Sequence, residues 1–317
     1  MILRHQAILF LSLVFTAQAA DKAVRRFALR PDSDAFWKLV DRRAKMTVFA
    51  TGFGFTEGPV WDPAGFLYVS DEEQNRIYRV YTDGRRETVI ELGDPDGNTY
   101  DTKQRLIDCA SVLRAIIRVD PDGTYETLVD HYEGKRLNSP NDVVAGPDQA
   151  LYFTDPTLDL VKGEKQELGF QGVFRLDAKG NLRLLVKDMS QPNGLAFSPD
   201  GKRLYVDDSK EKNIRVFDFA DGQVSHERIF ATEDEPGGVP DGMRTDQDGN
   251  LWVVGPRGIW VWDAQGHRLG VIQVPEQPAN LAWGGPDYRT LYITAGKSVY
   301  MFPTKARGFL PNLPKGK

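Results

Sequence analysis

Five residues with side-chain oxygens, Glu57, Asp96, Asn141, Asn193 and Asp241, recur at one place in a repeating pattern, and Ala279 holds that place a sixth time. Three carboxylates and two amides brought face to face would repel one another and resist leaving water unless a cation sat among them. Oxygen donors alone suit a hard divalent ion, Ca²⁺ first, with Mg²⁺ or another divalent ion as alternatives. A small set of protein ligands leaves coordination positions open for water or substrate. Zinc fits poorly, because beyond the first twenty residues the chain has only His131, His226 and His267, none at the recurring place. The lone Cys109 excludes an intrachain disulfide and any cysteine-cluster metal site.

Such an ion can polarise an ester carbonyl while a carboxylate beside it takes a proton from water. Glu57, Asn193 and Asp241 are the candidate metal ligands and Asp241 the candidate catalytic base. Asn141 is a further ligand or a substrate contact, and Asp96 an outer-shell group. The plainer alternative is that Asn193-Gly194 and Asp241-Gly242 are turns, as Asp83-Gly84, Asp122-Gly123 and Asp221-Gly222 are read to be. Glu57 argues against it, since Glu has no turn preference yet keeps the same register in Glu57-Gly58-Pro59. Asn141-Asp142 also lacks the glycine that a turn would favour.

The elements that must position these residues are repeats. One apolar signature recurs as Leu67-Tyr68-Val69, Leu106-Ile107, Leu151-Tyr152-Phe153, Leu204-Tyr205-Val206, Leu251-Trp252-Val253 and Leu291-Tyr292-Ile293, with leading leucines 39, 45, 53, 47 and 40 residues apart. A second follows each, from Ile77-Tyr78-Arg79-Val80 to Val299-Tyr300-Met301-Phe302. Four short β-rich runs with tight turns in each period predict an all-β fold, a six-bladed β-propeller of four-stranded blades over residues 46–304. The first strand of each blade would line the central channel, so the recurring oxygens would converge there. The last repeat lacks a fourth strand after Phe302, and Met46 to Thr51 is the segment expected to supply it and close the ring. The lead-in, residues 21–45, carries a helix expected from Asp34 to Asp41 with Asp32 or Ser33 as its cap. Residues 305–317 read as a C-terminal tail.

The 41% hydrophobic content and 27% charged residues are globular values, and a net charge of −5 gives no basis for a nucleic-acid partner. At the start, Arg4 and His5, an apolar run from Ala7 to Phe15 and Ala17-Gln18-Ala19-Ala20 read as a cleaved signal peptide over residues 1–20. The expected location is therefore the periplasm or the exterior. No later segment is long and apolar enough to span a membrane, so no membrane association is expected after cleavage.

From about Thr47 to Thr304 the chain resembles the gluconolactonase and regucalcin (senescence marker protein) family. The phrases that carry the likeness are Phe55-Thr56-Glu57-Gly58-Pro59-Val60-Trp61, Gly134-Lys135-Arg136-Leu137-Asn138-Ser139-Pro140-Asn141-Asp142, Pro192-Asn193-Gly194-Leu195-Ala196-Phe197-Ser198, Pro240-Asp241-Gly242-Met243 and Asn280-Leu281-Ala282-Trp283-Gly284-Gly285-Pro286-Asp287. The resemblance implies a six-bladed propeller with one divalent cation held by Glu57, Asn193 and Asp241. It also implies Asn141 on the metal or substrate, Asp241 as base, and a small-molecule sugar lactone as substrate. Arg136 is a candidate substrate contact, with a surface arginine beside a loop as the alternative. Two departures bear on the substrate and leave the metal positions intact: Ala110-Ser111 stands where many bacterial relatives have Glu-His, and Asp155-Pro156-Thr157-Leu158-Asp159 replaces an Asp-Pro-Pro-Tyr-Gly loop. Hydrolysis of another ester or a phosphotriester, and non-catalytic binding of a sugar or protein, are the rival readings.

Overall fold

The computed structural model describes residues 26–311; the leader expected over residues 1–20 lies outside them. Among the described residues, no helix is long and apolar enough to cross a membrane. Among the described residues, the six repeats build six antiparallel blade sheets, five of four strands and one that gains a fifth. Their innermost strands are Thr56–Asp62, Pro95–Tyr100, Val143–Ala145, Pro192–Phe197, Met243–Thr245 and Pro278–Gly284. Each of these touches the innermost strand of both neighbouring blades, and the sixth touches the first, so they enclose a channel. This is the six-bladed propeller that the repeats predict.

The repeat signature is strong for a physical reason. The second strand of a blade, such as Phe66–Asp71 or Leu251–Gly255, is covered on both faces by adjacent blades and is buried along its length. Alternation therefore gives way to continuous apolar runs. The outermost strands, such as Tyr125–Val129, are mostly exposed and carry polar residues. The core lies between blades: Tyr205, Ile214 and Val216 of the fourth pack with Met243, Leu251, Val253 and Trp260 of the fifth. Each such fully buried side chain contributes roughly 1.5–3 kcal/mol relative to exposure.

Ring closure follows the expectation. Thr47–Thr51 pairs antiparallel with Ser298–Pro303, placing Val48 opposite Tyr300 and Thr51 opposite Ser298. The hydroxyls of Thr51 and Ser298 add a hydrogen bond of 3.0 Å. The sixth blade thus takes strands from both ends of the propeller.

The lead-in departs from expectation in two ways. Its helix is a single turn, Phe36–Leu39, preceded by Ala35 without a side-chain cap. Asp32 is unavailable as a cap because its carboxylate binds Arg268, while the Ser33 amide donates to the Leu269 carbonyl. In addition, Ala28–Pro31 adds a fifth strand to the fifth blade, against Arg268–Gln273. Phe36, Leu39 and Val40 then bury against Trp252, Leu281 and Phe302, so this segment belongs to the propeller core. Beyond Thr304, the Phe309 amide donates to the Thr245 carbonyl and Gly308 bridges Asp246, fixing the chain across the fifth and sixth blades.

Candidate active site and cation centre in the channel

The recurring residues are aimed by a repeated local device. Register slips between Glu57 and Val60, between Pro95 and Asn98, between Pro192 and Leu195 and between Pro278 and Asn280. These β-bulges take in Asp96, Asn193 and Ala279 and begin directly after Glu57, and a bulge bends the strand and re-aims the side chains at it. In the third and fifth blades the short inner strands begin just after Asn141 and Asp241, whose amides still join the ladder through the Thr154 and Val254 carbonyls.

The following glycine is required by the seam between blades, not by a turn. A Cβ on Gly194 would lie 2.2 Å from the Asp241 carbonyl oxygen, and one on Gly58, at φ +47°, would lie 2.1 Å from the Asp96 carbonyl oxygen. The Gly97 amide donates to the Asn141 carbonyl at 2.8 Å and the Gly242 amide to the Ala279 carbonyl at 3.0 Å. The second recurring site is thus tied to the third, and the fifth to the sixth, by backbone hydrogen bonds, while Gly58 and Gly194 allow close approach at the first and fourth seams.

The side chains form separate hydrogen-bonded groups around a cluster of carboxylates. Glu57 Oε2 accepts from the Gly58 amide at 2.7 Å and from Asn280 Nδ2 at 2.9 Å. Asn141 Nδ2 donates to Asp96 Oδ2 at 2.7 Å. Asp241 Oδ1 accepts from the Gly242 amide at 3.1 Å, and the Asn193 amide group also stabilises its charge. Glu57, Glu72 and Asp96 each offer an oxygen within 4.8 Å of the others. Glu57, Asp96, Asn141 and Asn193 are buried, and Asp241 and Glu72 partly so.

This crowding has a large electrostatic cost. Burial, with Asp142 adding, pushes the Glu57 carboxyl up to about 7, against the opposing Gly58 and Asn280 hydrogen bonds and the Arg244 charge. Burial raises Glu72 to about 10, reinforced by Glu57, Asp159, Asp94 and Asp241. Asp96 is raised well above the carboxylate range by burial and then by Glu72 and Glu57, and Asp241 likewise by burial and then by Glu57 and Asp142. Glu57, Glu72 and Asp96, held beside one another against their own ionisation, are a donor set that would suit a hard cation, since a cation would let them ionise. Cys109 lies close enough to feel the Asp96 charge, while the histidines sit at the surface. Cys109 is buried in a core cluster, and His131, His226 and His267 are exposed and paired with Asp130, Asp218 and Asp263.

Of the five oxygen-bearing residues of the recurring place, Glu57 and Asp96 share the carboxylate cluster, Asn141 binds Asp96, and Asn193 stabilises Asp241. Glu72 was not among the candidates; it follows Asp71 in the loop after a second strand, a position that does not recur, and its only sequence signal is the run Asp71-Glu72-Glu73. Asn280 lies one residue beyond the aligned Ala279. Asp96 offers an oxygen to the same cluster as Glu57 and Glu72. The Arg136 guanidinium donates to the Leu113 carbonyl at 2.9 Å and approaches Glu164 at 3.6 Å. The loop after Asp155 does reach the site: burial and Asp94 raise Asp159 to about 7, and the neighbouring Asn141 opposes that rise. Buried Arg114 holds this loop, donating to the Leu137 carbonyl at 2.6 Å and pairing with Glu164 at 3.3 Å.

A six-bladed propeller with a ring of oxygen donors inside its channel is the class that fold and site define. Residues 55–297 match the model of the SMP-30/Gluconolactonase/LRE-like region, and the chain belongs to that family. It is 33% identical over 317 residues to a gluconolactonase of Zymomonas mobilis, an alignment covering 90% of this chain and 87% of the relative. It is 31% identical over 249 residues to the pentonolactonase XacC of Haloferax volcanii, covering 75% and 80% respectively. Among solved structures, a gluconolactonase from Xanthomonas campestris superposes with a TM-score of 0.82 at 34% identity, covering 87% of this chain and 94% of that one.

Proposed function

We propose that this protein is a lactonase, a carboxylic ester hydrolase that opens a sugar lactone with the support of one divalent cation, Ca²⁺ in the first instance. The observation that supports the reading is the cluster of Glu57, Glu72 and Asp96, whose oxygens lie within 4.8 Å of one another, with Asp241 close enough for the Glu57 charge to act on it and for the Asn193 amide to stabilise it. Its relatives named gluconolactonase and pentonolactonase support the lactone as substrate.

Glu57, Asn193 and Asp241 would hold the ion, with Asn141 beside them on metal or substrate. When bound, the ion supplies a Lewis acid for the lactone carbonyl and offsets the charge that develops on its oxygen. Asp241 takes a proton from the attacking water as the water oxygen bonds to the carbonyl carbon. As the ring C–O bond breaks, Asp241 returns that proton to the leaving ring oxygen, and a hydroxy acid results. Asn280 and the Gly58 amide keep Glu57 aimed, and the Asn141–Asp96 bond fixes both partners.

The test separates the base from the ligands. At saturating Ca²⁺, Asp241→Asn should lower the rate about 10²- to 10⁴-fold. Asn193→Ala, which removes a ligand that cannot act as a base, should recover at least part of its activity as Ca²⁺ is raised. A wild-type rate in Asp241→Asn with the ion bound would refute the assignment of Asp241.

A further inference from the structure

One step beyond the recurring place, the residues of the six inner strands are Gly58, Gly97, Asp142, Gly194, Gly242 and Asn280. Three steps beyond it they are Val60, Thr99, Val144, Ala196, Arg244 and Ala282. Glycine and small or apolar residues dominate both layers, as a narrow channel demands. Asp142 is the single acid in the first layer and Arg244 the single base in the second. They find each other across the channel from the third and fifth blades, Arg244 Nη1 lying 3.4 Å from Asp142 Oδ2. Asp142 is 1% exposed and the Arg244 side chain 15%.

The pair separates two environments. Beside it lie the carboxylates: Arg244 opposes the burial cost of both Asp142 and Glu57, and Asp142 in turn acts on Asp241. On the other side, Arg244, Val60, Val144 and Ala282 line a mainly apolar chamber of about 100 Å³ bounded by Phe309 and Leu310. An ion pair set into otherwise small and apolar layers needs a reason, because burying two charges is rarely a net gain in stability.

We infer that the Asp142–Arg244 pair is a charged floor beneath the cation site, and that Arg244 is a positioning residue that sets the affinity of the site for its ion from below. The inference rests on the cation reading given above. The Arg244 charge opposes cation binding directly and holds Asp142 away from the ion, while Asp142 favours binding. Removing one or the other must therefore move affinity in opposite directions, which loss of packing alone would not do. A unit charge several ångströms from a divalent ion changes the dissociation constant by about 10-fold even at a water-like dielectric, and by more in a partly buried channel.

The experiment is calorimetric titration of Ca²⁺ into the chelator-treated full chain, as wild type, Arg244→Met, Asp142→Asn and the double variant. The expected result is tighter binding in Arg244→Met, weaker binding in Asp142→Asn and a return to near wild-type affinity in the double variant. If Arg244→Met does not fold, weakening by Asp142→Asn and its reversal in the double variant carry the same test. Shifts of the same sign, or none, in a wild type that binds Ca²⁺ would overturn the charged floor and leave the cation reading standing. A wild type that binds no Ca²⁺ would sink both.

Discussion

Replacing Glu57 by Gln should stabilise the protein without its ion and destabilise it with the ion. Without a cation, burial and Asp142 raise the Glu57 carboxyl from 4.5 to about 7. A carboxyl whose folded value lies above its unfolded value contributes stability that is complete below about pH 4.5 and lost as pH rises through about 7. At pH 8 the ionised group therefore costs the ion-free fold roughly 3 kcal/mol, at about 1.4 kcal/mol per pKa unit. The amide of the substituted side chain can still accept from Gly58 and Asn280, whose bonds to Glu57 are 2.7 and 2.9 Å, so the neutral form fits the same place. For a chain of this size the gain should read as a melting temperature roughly 5 °C above wild type in chelator at pH 8. The difference should vanish near pH 4.5. In excess Ca²⁺ the order should reverse, because the variant has lost a charged ligand. The assay is calorimetric melting at both pH values, with and without the ion. If Glu57→Gln melts at or below wild type in chelator at pH 8, the Glu57 carboxylate is already compensated by the protein itself, and the electrostatic case for a cation is refuted.

Gly194→Ala places a Cβ 2.2 Å from the Asp241 carbonyl oxygen and 2.8 Å from Asp207 Oδ2, so the seam between the fourth and fifth blades must shift. We expect a loss of about 1–3 kcal/mol by thermal melt together with weaker Ca²⁺ binding, and an unchanged ion affinity would show that the seam does not position Asp241. Phe36→Ala, at a side chain that is 0% exposed in the lead-in, should cost about 3–5 kcal/mol. Val48→Ala, on the closing strand but 56% exposed, should stay within about 0.5 kcal/mol. Equal melts for these two variants would contradict the packing of the lead-in into the core.

The parts of the fold that were legible in the sequence are those in which packing repeats. Second strands such as Leu204-Tyr205-Val206 are buried on both faces in every blade, so the same apolar run had to recur. Glu57 and Asn193 share a register because each sits at a bulge at a blade seam, Glu57 directly before it and Asn193 within it, and the glycine after each closely approaches the neighbouring blade. What happens once was harder to read. Glu72 sits in one loop only, Asn280 is one residue off the aligned place, and Ala28–Pro31 has no repeated counterpart to reveal its pairing. Local rules also yielded to tertiary partners: Asp32 suits a helix cap by type, but in the folded chain it serves Arg268. Arg136 illustrates the limit of a linear motif, since its neighbours Leu113 and Glu164 come from other loops.

The most direct test of the account is the rate at which purified protein opens glucono-δ-lactone and a panel of other sugar lactones, measured before chelation, after it and after readdition of Ca²⁺. Turnover of at least one sugar lactone that is abolished by chelator and restored by the ion is the predicted result. Undiminished turnover in protein shown to be free of metal, or no turnover of any sugar lactone with Ca²⁺ bound, would contradict it.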